Sequence, residues 1–163
     1  MQARPDTLYG RVKLDGERSL QALCAHDFIT ASLRVTGVYG AAGPGLDHKW
    51  HGLIEDYLAG RPVAPRTGTE VHGDNVAAAV RLMLETDPMR INGEVFNVSD
   101  VLVDTRTILS FVREATACPY PLPEPAETGA FNPMSTERIR MLGWRPCGME
   151  RLKATVTELS KGA

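Results

Sequence analysis

Apolar positions along this chain recur mostly at helical spacing, broken by two short runs of strand formers. Pro5-Asp6-Thr7 reads as a helix entrance with Asp6 or Thr7 as cap, and a helix from about Leu8 to Ala25 follows. Phe28 to Val35 is an apolar run rich in strand formers, followed by a glycine-rich loop from Gly40 to Gly45. Asp47 is placed to cap the next helix, whose face is Trp50, Leu53, Ile54, Tyr57 and Leu58. Gly60 and Pro62 stop that helix, and residues 61–68 read as polar and irregular. Val76, Ala79, Val80, Met83 and Leu84 mark another amphipathic helix, and residues 95–98 a second strand. Asp104 or Thr105 caps a helix with Ile108, Leu109, Phe111, Val112 and Ala115 on one face. Five prolines from Pro119 to Pro133 then impose an extended connector. Ser135 is expected to cap a short helix ending at Gly143, and Met149, Leu152, Val156 and Leu159 form a last helical stripe.

Strands alternating with helices make the class α/β. Two strands are too few for a doubly wound sheet, because an open edge leaves backbone unpaired and little area buried. The pattern therefore reads as part of a larger sheet. Length changes this little: 163 residues suffice for one domain, residues 1–163.

Composition excludes several classes. Hydrophobic residues are 43% and charged residues 23%, with formal net charge -2. No overall field favours nucleic acid or an anionic membrane. No apolar run approaches the ~20 residues that span a bilayer. The polar start, Met1 to Asp6, lacks the apolar core of a leader, so the expected compartment is the cytoplasm. Cys24, Cys118 and Cys147 are odd in number and far apart, which reads as buried reduced thiols. Asp47, His48 and His51 cluster at a helix start; without a fourth ligand they read as a solvated helix end, and no metal is expected.

Candidate chemistry sits near the start. Tyr9 and Lys13, four residues apart, share one face of the first helix. An ammonium beside a phenol favours the phenolate, and such a pair can move the proton of a substrate hydroxyl. By itself, the spacing equally suits a packed Tyr and a solvated Lys.

Five segments in order give that pair a context. Pro5 to Glu17 resembles the P-x-x-x-YG-x-(S/A)K-x-x-x-E segment of extended short-chain dehydrogenases/reductases, the NAD(P)-dependent epimerase/dehydratase type. Leu33 to Gly40 resembles their LRPxNVYG strand, and Val71 to Ala77 their V/I-H-V-D-D-V-A turn. Gly93 to Val98 resembles their G-x-x-(Y/F)-N-V strand, and Leu142 to Pro146 their LGWxP.

The resemblance implies a partial Rossmann-like domain, its C-terminal strands and helices, plus the small substrate-binding lobe. It implies Tyr9 as acid/base and Lys13 as the residue holding the nicotinamide ribose. It places Val35, Thr36, Gly37 and Val38 along the nicotinamide, and Gly37, Tyr39 and Arg66 toward substrate. The cofactor implied is NAD or NADP. The family's catalytic Ser/Thr and its glycine-rich turn lie upstream of the tyrosine, so binding by this chain alone is not expected. Gly40 to Gly45 is no substitute: no strand ending in an acidic residue follows ~20 positions later, and Pro44 removes a donor.

The substrate is a small molecule whose class stays open. Gly37 stands where many family members have Asn or Ser, and Gly68-Thr69-Glu70 where many have an arginine and an aromatic. Either a sugar nucleotide or a smaller hydroxy or keto compound is compatible. His72 and Asp74 read as structural, with Asp74 capping the next helix. Three readings compete: a truncated enzyme inactive alone, half of a split enzyme completed by a separate N-terminal half or a homo-oligomer, and a non-catalytic binding module.

Overall fold

The computed structural model describes residues 4–129 and 131–161, so the first three residues of the polar start lie outside the described part. In chain order the elements are α1 (Leu8–Ala22), β1 (Ala31–Val35), β2 (Gly37–Tyr39), α2 (His51–Leu58), β3 (Thr67–His72) and α3 (Gly73–Glu85). Then come α4 (Pro88–Ile91), β4 (Glu94–Val98), β5 (Val101–Asp104), α5 (Thr105–Thr116), α6 (Glu137–Met141) and α7 (Gly148–Leu159).

The strands form two small sheets. β1 pairs with β4 in parallel, Ala31 opposite Glu94 through Val35 opposite Val98. β2 pairs with β3 in parallel, Gly37 opposite Glu70, and β3 pairs with β5 antiparallel, Glu70 opposite Val101. This is mixed α/β, with five strands among the described residues where the sequence pattern suggested two. The three extra strands are short, and β3 begins Thr-Gly-Thr-Glu inside a stretch read as irregular. Their order comes from neighbours rather than from local propensity.

The expected strand from Phe28 starts only at Ala31, because reciprocal backbone bonds between Ala25 and Phe28 close a turn first. α1 likewise ends at Ala22 rather than Ala25. Asp47 does not cap α2; residue Trp50 precedes the helix, with no side-chain cap bond. His72, not Asp74, caps α3: its Nδ1 accepts the Asp74 N–H at 3.0 Å. At α6 the capping position is Thr136, although Ser135 Oγ accepts the Glu137 N–H at 3.4 Å. The Asp104 and Thr7 caps are as expected, accepting from Thr107 and Gly10 at 2.8 and 3.1 Å.

Two apolar cores hold the sheets. Tyr39, Trp50, Ile54 and Val101 pack with α5 and α7 through Leu109, Val112, Leu152 and Val156. Val71, Ala79, Phe96, Val98, Ile139 and Trp144 form the other, under β4. Val80 and Leu84, expected on the packed face of α3, are exposed. Of the thiols, only Cys118 is buried; Cys24 is half-buried and Cys147 exposed, and all three are free. No helix among the described residues is long and apolar enough to cross a membrane.

Candidate functional site

The site begins at the entrance to α1. Thr7 caps the helix, and Pro5 folds back so closely that a Cβ on Gly10 would meet the Pro5 side chain at 2.8 Å. The next two turns carry Tyr9 and Lys13 on one face, with Lys13 Nζ 5.5 Å from the Tyr9 ring centroid. Both open into a cleft of about 1080 Å3 between α1 and β1, with Leu33 and Val35 on its other wall.

α1 is tethered rather than packed. None of its 15 residues is buried among the described residues, and Tyr9 is 73% exposed. Its position is held by polar ties: Arg34 on β1 forks onto Glu17 with bonds of 2.7 and 2.6 Å, and Gln21 Nε2 donates to the Gly93 carbonyl at 2.5 Å. A bidentate Arg–carboxylate pair fixes orientation as well as distance. Glu17→Ala is therefore expected to leave the two cores intact while speeding amide exchange along α1 by tenfold or more. Unchanged α1 exchange would show that the fork does not place Tyr9.

The remaining predicted site residues divide. Val35 shares the cleft with Tyr9 and Lys13. Thr36 donates its backbone N–H to the Val98 carbonyl at 3.1 Å, and its buried Oγ1 has no partner among the described residues. Gly37 lies under a Lys49–Glu70 ion pair: a Cβ there would stand 2.5 Å from Glu70 Oε2. Val38 and Tyr39 line a second cavity of about 530 Å3 with Gly40, Lys49, His72 and Arg151. Tyr39 is 2% exposed, stacked on Trp50 at 5.1 Å and edge-on to His72 at 5.1 Å, its hydroxyl unpartnered. Burial pushes that phenol well above its ordinary pKa, with Asp100 adding to the rise, so it stays protonated. Arg66 is exposed, its backbone tied to Thr105, and its side chain lines neither cavity.

The structure thus joins Tyr9, Lys13 and Val35 in one cleft and puts Val38 and Tyr39 in another, with Gly37 and the Lys49–Glu70 pair beside the second. Sequence spacing missed that pair: its members are 21 residues apart, Lys49 in the loop before α2 and Glu70 on β3, and only the folded chain brings them together. Glu70 is 8% exposed, and burial raises its carboxyl pKa against the pull of Lys49 and Arg66. His72 is held below the usual imidazole range by burial and by Arg151, with Asp74 opposing. The expected helix-end cluster is looser: His51 Nε2 stands 3.9 Å from Asp47 and 3.7 Å from Glu55. Among the described residues no group of three or more His, Cys, Asp or Glu is arranged to hold a metal ion.

For NAD or NADP, the Tyr9 phenol and the Lys13 ammonium stand side by side on an open wall, a donor pair suited to ribose hydroxyls, whereas the Thr36 hydroxyl is buried away from that cleft. The residues present do not fit the pyrophosphate end. The Gly40–Gly45 loop faces the second cavity instead.

No family model matches the chain, and no curated protein matches its sequence. Solved structures do match. UDP-glucose 4-epimerase from Thermus thermophilus, in complex with NAD, is 26% identical with a TM-score of 0.68, over 98% of this chain and 56% of that one. UDP-glucose 4-epimerase from Thermotoga maritima, with UDP-glucose, is 23% identical with a TM-score of 0.70, over 98% and 55%. UDP-glucuronic acid 4-epimerase from Bacillus cereus, in complex with UDP-glucuronic acid and NAD, is 20% identical with a TM-score of 0.72, over 99% and 55%. This chain therefore spans a little over half the length of the structures it matches. Its fold is the C-terminal part of the UDP-sugar 4-epimerases, the partial Rossmann-like fold of the extended short-chain dehydrogenases/reductases that its five sequence segments resemble.

Proposed function

We propose that this chain supplies the acid/base and the substrate lobe of an NAD(P)-dependent epimerase/dehydratase-type oxidoreductase acting on a hydroxylated small molecule. Turnover requires an N-terminal dinucleotide-binding half. The observation that carries this reading is the Tyr9–Lys13 pair, side by side on the wall of an open cleft whose other wall is β1.

Each residue has a task. Bound NAD(P) would supply an acceptor for the hydride of a substrate carbon. Tyr9 Oη takes the proton of the substrate hydroxyl and gives it back, a role within reach of a positioned phenol. The Lys13 ammonium offsets the negative charge that Tyr9 Oη carries before it takes the proton, and keeps further N–H donors for ribose hydroxyls. Val35 presents an apolar wall that keeps water from the reacting carbon.

Two features support the need for another half. β1 pairs only with β4, so its second edge is unpaired among the described residues. On α1, which shares its cleft with β1, and at its C-cap, Leu8, Val12 and Leu23 are 70%, 60% and 59% exposed. An open parallel edge next to uncovered apolar side chains suits a further strand and helix.

Calorimetric titration of the isolated chain with NAD+ and NADP+ is expected to show no saturable binding, and binding is expected to return when the N-terminal half of a related enzyme is supplied. Micromolar affinity of the pure chain would sink the requirement for another half. If the combined halves bind cofactor yet transfer no hydride with any hydroxylated substrate, the chain is a binding module.

A further inference from the structure

Glu70 is a costly residue to bury. It sits on β3 at 8% exposure, with Lys49 bonded to its Oε2. Burial outweighs the cations around it, since its carboxyl pKa is raised. A buried ion pair is weak evidence for stability, so its presence asks for another reason.

The pair is also seated in space cleared for it. A Cβ on Gly37 would stand 2.5 Å from Oε2 and 2.9 Å from Cδ of Glu70, and a Cβ on Gly68 would stand 3.3 Å from Oε1. Two strand glycines, on β2 and β3, therefore flank one carboxylate. Oε1 has no hydrogen-bond donor among the described residues, and it is not fully enclosed. Lys49, its side chain 36% exposed, uses one N–H on Glu70 and has others free toward the cavity beside Tyr39.

We infer that the Lys49–Glu70 pair is the specificity element of the substrate lobe, and that it selects an uncharged polyhydroxy compound over a nucleoside diphosphate sugar. The inference rests on the proposed oxidoreductase reading. The pair offers a donor and an acceptor side by side. A hydroxyl both donates and accepts, so neighbouring hydroxyls of a sugar or polyol satisfy both groups. A phosphate oxygen only accepts. It gains from Lys49 but meets the Glu70 carboxylate with no proton between them, and like charges at a poorly solvated site repel strongly. Gly37 and Gly68 contribute no side chain of their own and so leave recognition to this pair.

The test is an amide chemical-shift titration of the isolated chain with methyl glucoside and with inorganic pyrophosphate, followed at Gly37, Gly68 and Glu70. Methyl glucoside is expected to move these signals saturably, and pyrophosphate is not. Glu70→Gln keeps shape and removes charge; it is expected to bind pyrophosphate at least tenfold tighter than the unaltered chain. Lys49→Met is expected to lose the methyl glucoside response, with its unchanged spectrum elsewhere confirming the fold. Silence toward methyl glucoside overturns the inference, as does pyrophosphate binding to the unaltered chain that Glu70→Gln leaves equal or weaker. These signals lie on β2 and β3, apart from Tyr9, so failure here leaves the acid/base reading standing, and failure at Tyr9 leaves this result interpretable.

Discussion

Tyr9→Phe, in the chain combined with an N-terminal dinucleotide-binding half, is expected to lower turnover by about 10²–10⁴-fold while leaving cofactor affinity within a factor of a few. The reasoning separates the two effects. The substitution removes one oxygen and no more, so the ring keeps its place and the Lys13 ammonium still faces it at the cleft wall. Tyr9 is 73% exposed among the described residues, and its hydroxyl holds no other hydrogen bond there, so stability has little to lose. What disappears is the proton acceptor for the substrate hydroxyl. Single-turnover hydride transfer, read as nicotinamide absorbance, should fall with kcat. Lys13→Met should act differently, raising the KM for cofactor as well as slowing the step, because ribose contacts go with it. Unchanged turnover in Tyr9→Phe would remove Tyr9 from the chemistry.

That spacing was readable because a helix converts an interval of four into one face, whatever surrounds it. The Thr7 and Asp104 caps were readable for the same local reason: each side-chain oxygen meets an N–H three residues ahead. β2, β3 and β5 were not. Gly37-Val38-Tyr39 and Thr67-Gly68-Thr69-Glu70 have no alternation of their own, and they become strands only through mutual pairing. The same pairing sets Glu70 across from Gly37, so the Lys49–Glu70 pair was invisible to any reading of neighbours in sequence. Asp74 illustrates the converse. It has the chemistry of a cap, but His72 already holds that position, and Asp74 is turned outward to Arg151. The uncovered face of α1 is a third kind of case. Its apolar residues predict burial, and among the described residues nothing buries them, which is why the site reads as a wall awaiting its opposite side.

Trp144→Ala is expected to destabilise the chain by about 3–5 kcal/mol, the range for deleting a buried Trp or Phe. Trp144 belongs to the Leu-Gly-Trp segment after α6; it is 2% exposed and packs with Val71, Phe96, Val98 and Ile139 beneath β4. Its Nε1 donates to the Asn75 carbonyl at 2.9 Å, so truncation opens a cavity and removes that hydrogen bond. Domains of this kind have about 5–15 kcal/mol in total, so the loss takes a large share. Thermal unfolding should shift down by roughly 10 °C or more, at about 2–4 °C per kcal/mol for chains of this size. Trp144→Phe keeps most of the volume and loses the N–H, so it should cost about 0.5–1.5 kcal/mol, the net worth of one hydrogen bond. The consequence reaches the cleft through β4. Because β1 has β4 as its sheet partner, loosening the core under β4 releases β1, and with it the Arg34 side chain that anchors α1 through Glu17. Amide exchange should therefore accelerate in β1 and α1 together with β4, while α2, α5 and α7, packed in the other core, respond less. Uniform acceleration in both cores would mean that the two clusters unfold as one unit and that the cleft has no local route to instability.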